Sequence, residues 1–186
     1  MMLLDKQLSG VILDEMLQAR RSASAARTHY ADHYESDTYR GWWADGIVSD
    51  SPDIIQIILR LALDGFDPWR QTGFEGWIVT VSVMTIPADM RSQNVSTLPI
   101  FLTPGPKEPV DMDSFLALAM AELDSLAAGL GGLRVFGKEG TYTLKALGMY
   151  VCADVPGGDK VTHMTGHGGY SPGRLRPLHG MLSGTK

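Results

Sequence analysis

The chain has 186 residues, a length that suits one domain with a real core and is short for two. Apolar residues make up 44% and charged residues 20%, which excludes a disordered tail, and no apolar run reaches the length of a bilayer span. The net charge of −5 argues against tight nucleic-acid binding by this chain alone, because phosphate contacts need clustered Lys and Arg; a DNA-processing role would draw its basic surface from elsewhere.

The N-terminus, Met1-Met2-Leu3-Leu4-Asp5-Lys6, breaks its apolar start with a charge pair and lacks the parts of a signal peptide, so a reducing intracellular compartment is expected. Leu8, Val11, Ile12, Met16 and Leu17 then recur at helical spacing, and a helix running into a polar connector is predicted over residues 8–27. Residues 28–50 are rich in His, Tyr, Asp and Ser with no sustained period. They read as a long loop anchored by Trp42-Trp43, and residues 1–50 as a loosely ordered lead into a folded core over 51–186.

Residues 54–63 are apolar and β-branched early, and they stop at the turn-like pair Asp64-Gly65; the pattern predicts a helical turn and then a strand from about Leu59. Residues 77–86 give the clearest strand, with Val79, Val81 and Val83 alternating against Thr80 and Ser82 before Pro87 ends it. A third strand over 95–103 runs into Pro104-Gly105-Pro106. A helix follows, with Asp111 or Asp113 as N-cap, Phe115, Ala119, Leu123 and Leu126 on its apolar face, and Gly129 beyond its end, where Gly131-Gly132 reinforce the stop. After a hairpin-like glycine and charged stretch, residues 142–153 lead to a buried strand over about 147–153, ending at Asp154-Val155-Pro156. Cys152, the single cysteine, excludes an internal disulfide and sits in this apolar run, where a buried, inert thiol is expected.

The order strand, strand, strand, helix, strand predicts an α/β fold with a mixed sheet of the ribonuclease-H type, in which the last strand returns beside the first. Asp64 closes the first strand and Asp154 the last. Two carboxylates at neighbouring strand ends can hold divalent cations about 3.5 to 4 Å apart, one activating an attacking hydroxyl and the other stabilising a leaving oxygen. Oxygen donors suit Mg²⁺ or Mn²⁺ rather than zinc. The plainer reading of both residues is structural, since Asp-Gly and Asp-x-Pro also form ordinary turns.

Four blocks stand in register: Leu63-Asp64-Gly65-Phe66-Asp67-Pro68-Trp69; Trp77 opening a strand that ends at Ile86-Pro87; Thr103-Pro104-Gly105-Pro106-Lys107-Glu108-Pro109; and Ala153-Asp154-Val155-Pro156-Gly157-Gly158-Asp159-Lys160. Together they resemble the core pattern of CACTA-type DNA transposases, fungal ones above all, over roughly residues 50–181, and the Pro-Gly-Pro-Lys-Glu-Pro block is the most specific element. The resemblance implies a ribonuclease-H-like nuclease with an Asp-Asp-Glu triad, of which Asp64 and Asp154 correspond to the first two members. It also implies a two-metal Mg²⁺ or Mn²⁺ cofactor, transposon-end and target DNA as partners of the full-length protein, no membrane association, and a nuclear location. The family's third acidic residue lies well downstream of the second, and no Asp or Glu follows Asp159 here, so a truncated core is expected. Gly173 and Arg176 stand where family members carry a Cys-x-x-Cys pair after a segment like Gly166-His167-Gly168-Gly169-Tyr170. The alternative is a transposon-derived DNA- or protein-binding module without catalysis.

Other motifs carry less. Asp159, His163 and His167 have helical ligand spacing, but Gly166, Gly168 and Gly169 favour a loop with surface histidines. Gly131-Gly132 and Gly157-Gly158-Asp159-Lys160 lack phosphate-loop spacing, and no Gly-x-Ser-x-Gly elbow occurs. Trp42-Trp43, Trp69 and Trp77 read as buried anchors before base-stacking platforms, and Lys107, Arg134 and Lys138 as isolated charges.

Overall fold

A computed structural model of the chain describes residues 10, 13–15, 17–18, 32–49, 51–67, 76–91, 96–103, 105, 109, 111–136 and 138–154. Within the helix expected over 8–27, the described residues Gly10, Leu13, Asp14, Glu15, Leu17 and Gln18 are helical, and Leu13 is buried; the rest of that segment lies outside the described residues.

The segment read as a long loop contains a 3-10 turn, His33–Glu35, and an α-helix, α1 (Asp37–Ala44). Local capping creates both. The Asp32 side chain caps the turn, and the Ser36 hydroxyl accepts the Tyr39 N–H at 3.1 Å, satisfying one donor at the start of α1. The aromatic anchor is also different from the expected one. Tyr34 and Tyr39 are buried, with their rings edge to face at 5.2 Å, whereas Trp42 and Trp43 are only half-buried. Eight helical residues are too few to establish a period, so capping rather than patterning marks this helix.

Five strands form one sheet: β1 (Ile54–Phe66), β2 (Gly76–Val83), β3 (Thr97–Thr103), β4 (Leu130–Leu133) and β5 (Tyr142–Ala153), in the order β3-β2-β1-β5-β4. The α/β reading with a mixed sheet holds. Gly65 near the end of β1 lies against Trp77 at the start of β2, and the Trp77 N–H donates to Thr103 Oγ1 at the end of β3, so the first three strands alternate in direction. The Thr143 N–H donates to Asp53 O at 2.9 Å, so β5 sets out beside the start of β1 and the two run the same way. β4 pairs antiparallel with β5.

Two strands differ from expectation. β1 begins at Ile54 with no helical turn before Leu59, and it continues through Asp64-Gly65 to Phe66. Residues Ile55 to Leu59 are all buried, so this stretch lies at a place covered on both faces, and a doubly covered strand has no alternation to read. Gly65 is a strand residue rather than a turn, and a Cβ there would meet the Trp77 ring at an ordinary van der Waals distance of 3.4 Å. β4 was hidden by its composition: Leu130-Gly131-Gly132-Leu133 reads as a stop signal yet pairs through Leu130↔Leu144 and Leu133↔Tyr142. β5 is buried in its first half, at Leu144 and Ala146, and exposed at Val151 and Cys152, the reverse of the expected arrangement. The four residues of β4 reach β5 only near its start, which leaves the later half of β5 beyond the ladder they form.

The second α-helix, α2 (Met112–Ala128), starts at Asp111, whose carboxylate accepts the Ser114 N–H at 3.1 Å. It buries Met112, Leu116 and Ala119, and Leu123 and Leu126 are half-buried, so of the expected apolar face only Phe115 lies elsewhere. Phe115 is 44% exposed and stacks instead on Phe101 of β3, with ring centres 5.8 Å apart. Gly129 follows the helix at φ 114°, a conformation open to glycine, and ends it.

The chain divides into two compact units. The first comprises the chain to Arg60 with Ser82–Leu98 and Ala121–Met149. Side-chain hydrogen bonds tie its strands: Arg60 Nη2 donates to Ser82 Oγ at 3.3 Å, Ser82 and Thr97 share a hydroxyl bond at 2.9 Å, and the Ile58 N–H donates to Thr85 Oγ1 at 2.8 Å. The second comprises Leu61–Val81, Pro99–Met120 and the chain from Tyr150. Its core is Leu63, Trp77, Val79, Met112 and Leu116, with Phe101 and Ala153 packed against them.

Candidate functional site

Asp64 and Asp154 belong to the same compact unit, and both side chains are exposed. Asp64 is the third residue from the end of β1, and Asp154 follows directly on β5. The residue before each carboxylate reaches the core of the unit: Leu63 is 3% exposed inside the core cluster, and Ala153 packs against that same cluster. Side chains alternate across a strand, so Asp64 is turned to the face opposite Leu63, while Asp154 stands one residue beyond the end of β5.

β1 and β5 are neighbours in the sheet and run the same way, and Asp64 and Asp154 stand near the ends of the two. Carboxylates are hard oxygen donors, and both of these are exposed. Mg²⁺ is held by one or two carboxylates with several waters retained. Among the described residues, no group of three or more His, Cys, Asp or Glu side chains gathers as a metal-binding set.

Cys152 is exposed, contrary to the buried thiol expected from the surrounding apolar residues. Trp77 is a buried anchor, as expected; its ring covers Gly65 next to Asp64. Trp69, Lys107, the segment with Asp159, His163 and His167, and the glycine-histidine stretch over 166–172 lie outside the described residues. Of the Pro-Gly-Pro-Lys-Glu-Pro block only Gly105 and Pro109 are described, both without regular structure.

One charged cluster gave no sign in the sequence. Asp32 accepts from Arg91 Nη1 and Nη2, each at 2.8 Å, and from the His33 ring at 2.6 Å. Arg91 Nε also donates to Ile86 O at 2.8 Å, and its guanidinium lies 5.9 Å from the centre of the Tyr34 ring. Burial raises the Asp32 pKa, but the hydrogen bond and charge of Arg91 together with His33 outweigh it and hold the carboxyl below its ordinary value. This cluster fastens the segment before α1 to the loop after β2, and its geometry is that of a structural clamp.

Compared with protein-family models and with curated proteins, the chain matches none. No helix among the described residues is long and apolar enough to cross a membrane.

Proposed function

We propose that the chain is a partial ribonuclease-H-like core of the CACTA transposase type, built for metal-dependent phosphodiester cleavage and strand transfer, with Asp64 and Asp154 as metal ligands. The observation that carries this reading is the placing of two exposed carboxylates in a single unit near the ends of the neighbouring strands β1 and β5, each directly after a residue that reaches one core. The resemblance of the four sequence blocks supports it independently. Bound Mg²⁺ or Mn²⁺ would supply Lewis-acid stabilisation of charge on the phosphodiester oxygens. The chain's own part is to hold two acidic side chains on strands, where backbone pairing and the packing of Leu63 and Ala153 limit their movement. Transposon-end and target DNA, and nuclear location, follow from the same reading for the full-length protein. Basic surface for DNA would come from outside this acidic chain.

Isothermal titration of Mn²⁺ into the chain tests the site. Saturable binding is expected, lost in both Asp64→Asn and Asp154→Asn while the variants keep the wild-type circular dichroism spectrum. Absence of such binding, or binding unchanged in either variant, overturns the metal-site reading. The exposed apolar side chains of Ile100 and Leu102 on edge strand β3 favour a second reading, a protein-binding module without catalysis. A folded chain that binds no Mn²⁺ would leave that reading standing.

A further inference from the structure

A cleft of about 580 Å³ lies wholly within the first compact unit. That volume falls in the range of about 300 to 1,000 Å³ typical of small-molecule sites. Its walls come from the end of α1 (Trp43), the turn after it (Ile47), the last turn of α2 (Ala127) and β5 (Lys145 and Leu147), with Gln56 of β1 behind them. Three features separate this cleft from an accidental hollow.

The first is a wall held in place from within. Gln56 is 3% exposed, and its side-chain amide is used on both sides: Oε1 accepts the Ser49 N–H at 2.5 Å and Nε2 donates to Ile47 O at 3.2 Å. This amide pins the 46–49 turn, which Gly46 enters at φ 72°. A wall fixed by buried hydrogen bonds loses little conformational entropy when a ligand arrives.

The second is an ammonium group with no carboxylate paired to it among the described residues. The Lys145 stem is confined by the chain beside it, since a Cβ at Gly129 would lie 3.5 Å from its Cε and 3.6 Å from its Cγ. Lys145 is itself one of the residues that line the cleft. The third is Trp43, a half-buried indole on the same cleft, which offers a flat aromatic face. The rest of the lining is aliphatic apart from Gly46, Ser49 and Gln56, and no acidic residue belongs to it.

From this arrangement we propose that the cleft binds a planar aromatic anion, with the ring against Trp43 and the anionic group at Lys145. The site uses no metal and none of the residues around Asp64 and Asp154, so it stands or falls apart from the nuclease reading.

Two probes cover the two sources of anionic charge: adenosine monophosphate for a phosphate and 2-naphthoate for a carboxylate. Each is titrated calorimetrically into the full chain in the presence of EDTA. Saturable binding of at least one probe is expected, weakened about tenfold or more by Lys145→Met, which keeps the stem over Gly129 and removes the charge. Trp43→Ala is expected to weaken it about tenfold as well. Neutral adenosine should bind more weakly than its monophosphate and should not respond to Lys145→Met. Failure of both probes to saturate by about 10 mM, or equal affinity in wild type and Lys145→Met, overturns the proposal. A matching response of neutral adenosine to that variant also overturns it, because the lysine would then act through the fold. Thermal unfolding of each variant shows whether it remains folded, and the wild-type comparison of monophosphate with adenosine needs no variant.

Discussion

Asp32 and Arg91, 59 positions apart, meet through two parallel hydrogen bonds of 2.8 Å each. Their side chains are 23% and 13% exposed, so the pair is largely out of water. Removing one partner leaves the other as a poorly solvated charge. Arg91→Met is therefore expected to lower the unfolding free energy by about 2 to 3 kcal/mol, and Asp32→Asn by a similar amount, read by urea denaturation. The double variant should cost less than the sum of the two, because neither charge is then stranded. A strictly additive double variant would show that the two side chains act separately.

The same clamp makes stability depend on pH in two windows. Burial pushes the His33 pKa down, and the Arg91 charge adds to it against the opposing pull of Asp32, leaving the imidazole below its ordinary 6.5. The unfolded chain then binds a proton more readily than the folded one as pH drops past 6.5, so stability present above that pH falls away below it. The Asp32 carboxyl is held below 3.8, so its contribution is complete above that pH and is lost as pH falls through the lower, folded value. Denaturation midpoints should decline first below about pH 6.5 and again below about pH 4. His33→Gln should abolish the upper decline and keep the lower one; an unchanged upper decline would assign it to another histidine.

Leu116 and Leu118 of α2 separate the buried face from the exposed one. Leu116 is 9% exposed within the core of the second unit, and Leu118 is 76% exposed. Leu116→Ala should cost about 2 to 4 kcal/mol, whereas Leu118→Ala should stay within about 0.5 kcal/mol of wild type. Comparable losses at both positions would mean that the outer face of α2 is covered in solution.

That contrast also shows where the sequence was readable. Helix α2 declared itself through Asp111 and Gly129, which cap it by local chemistry, and Ala119, Leu123 and Leu126 of its expected face are buried or half-buried; Phe115 was misplaced because apolar side chains occur nearly all round the helix. β2 was legible because Val79 and Val81 alternate with half-buried neighbours. The start of β1 was not, since Ile55 to Leu59 are covered on both faces and carry no period. β4 was invisible because two glycines supply half of it and its partner, Leu144, lies outside the local window. For the candidate site, the positions of Asp64 and Asp154 near the ends of β1 and β5 were legible in the residues. That Leu63 and Ala153, the residues before them, reach one core is a tertiary fact. Nothing in the residues around Asp32 or Arg91 announced their pairing, and the cleft at Trp43 and Lys145 joins segments about a hundred residues apart, beyond what spacing can reveal.

Gly129 sits at φ 114°, and a Cβ there would approach the Thr143 methyl group to 3.0 Å. Gly129→Ala therefore combines backbone strain with a crowded neighbour and should destabilise the chain by about 1 to 3 kcal/mol. Replacing Thr143 by Ser in that background removes the crowding methyl group and should recover part of the loss. No recovery would place the whole cost in the backbone.

Cys152 gives a direct test of the proposed metal site. It is the chain's single cysteine, it is exposed, and it lies two residues before Asp154, about 7 Å away along an extended chain. A thiol reagent should modify it in the folded chain without denaturant. A nitroxide attached there then reports on Mn²⁺ nearby, because a paramagnetic ion within about one such spacing broadens the nitroxide spectrum far more than dilute ions in solution. Sub-stoichiometric Mn²⁺ should broaden the line strongly, EDTA should reverse the effect, and Asp64→Asn should prevent it although that residue is on the other strand. Broadening that follows only the concentration of unbound Mn²⁺, with wild type and Asp64→Asn alike, would mean that β1 and β5 do not hold the ion between their carboxylates.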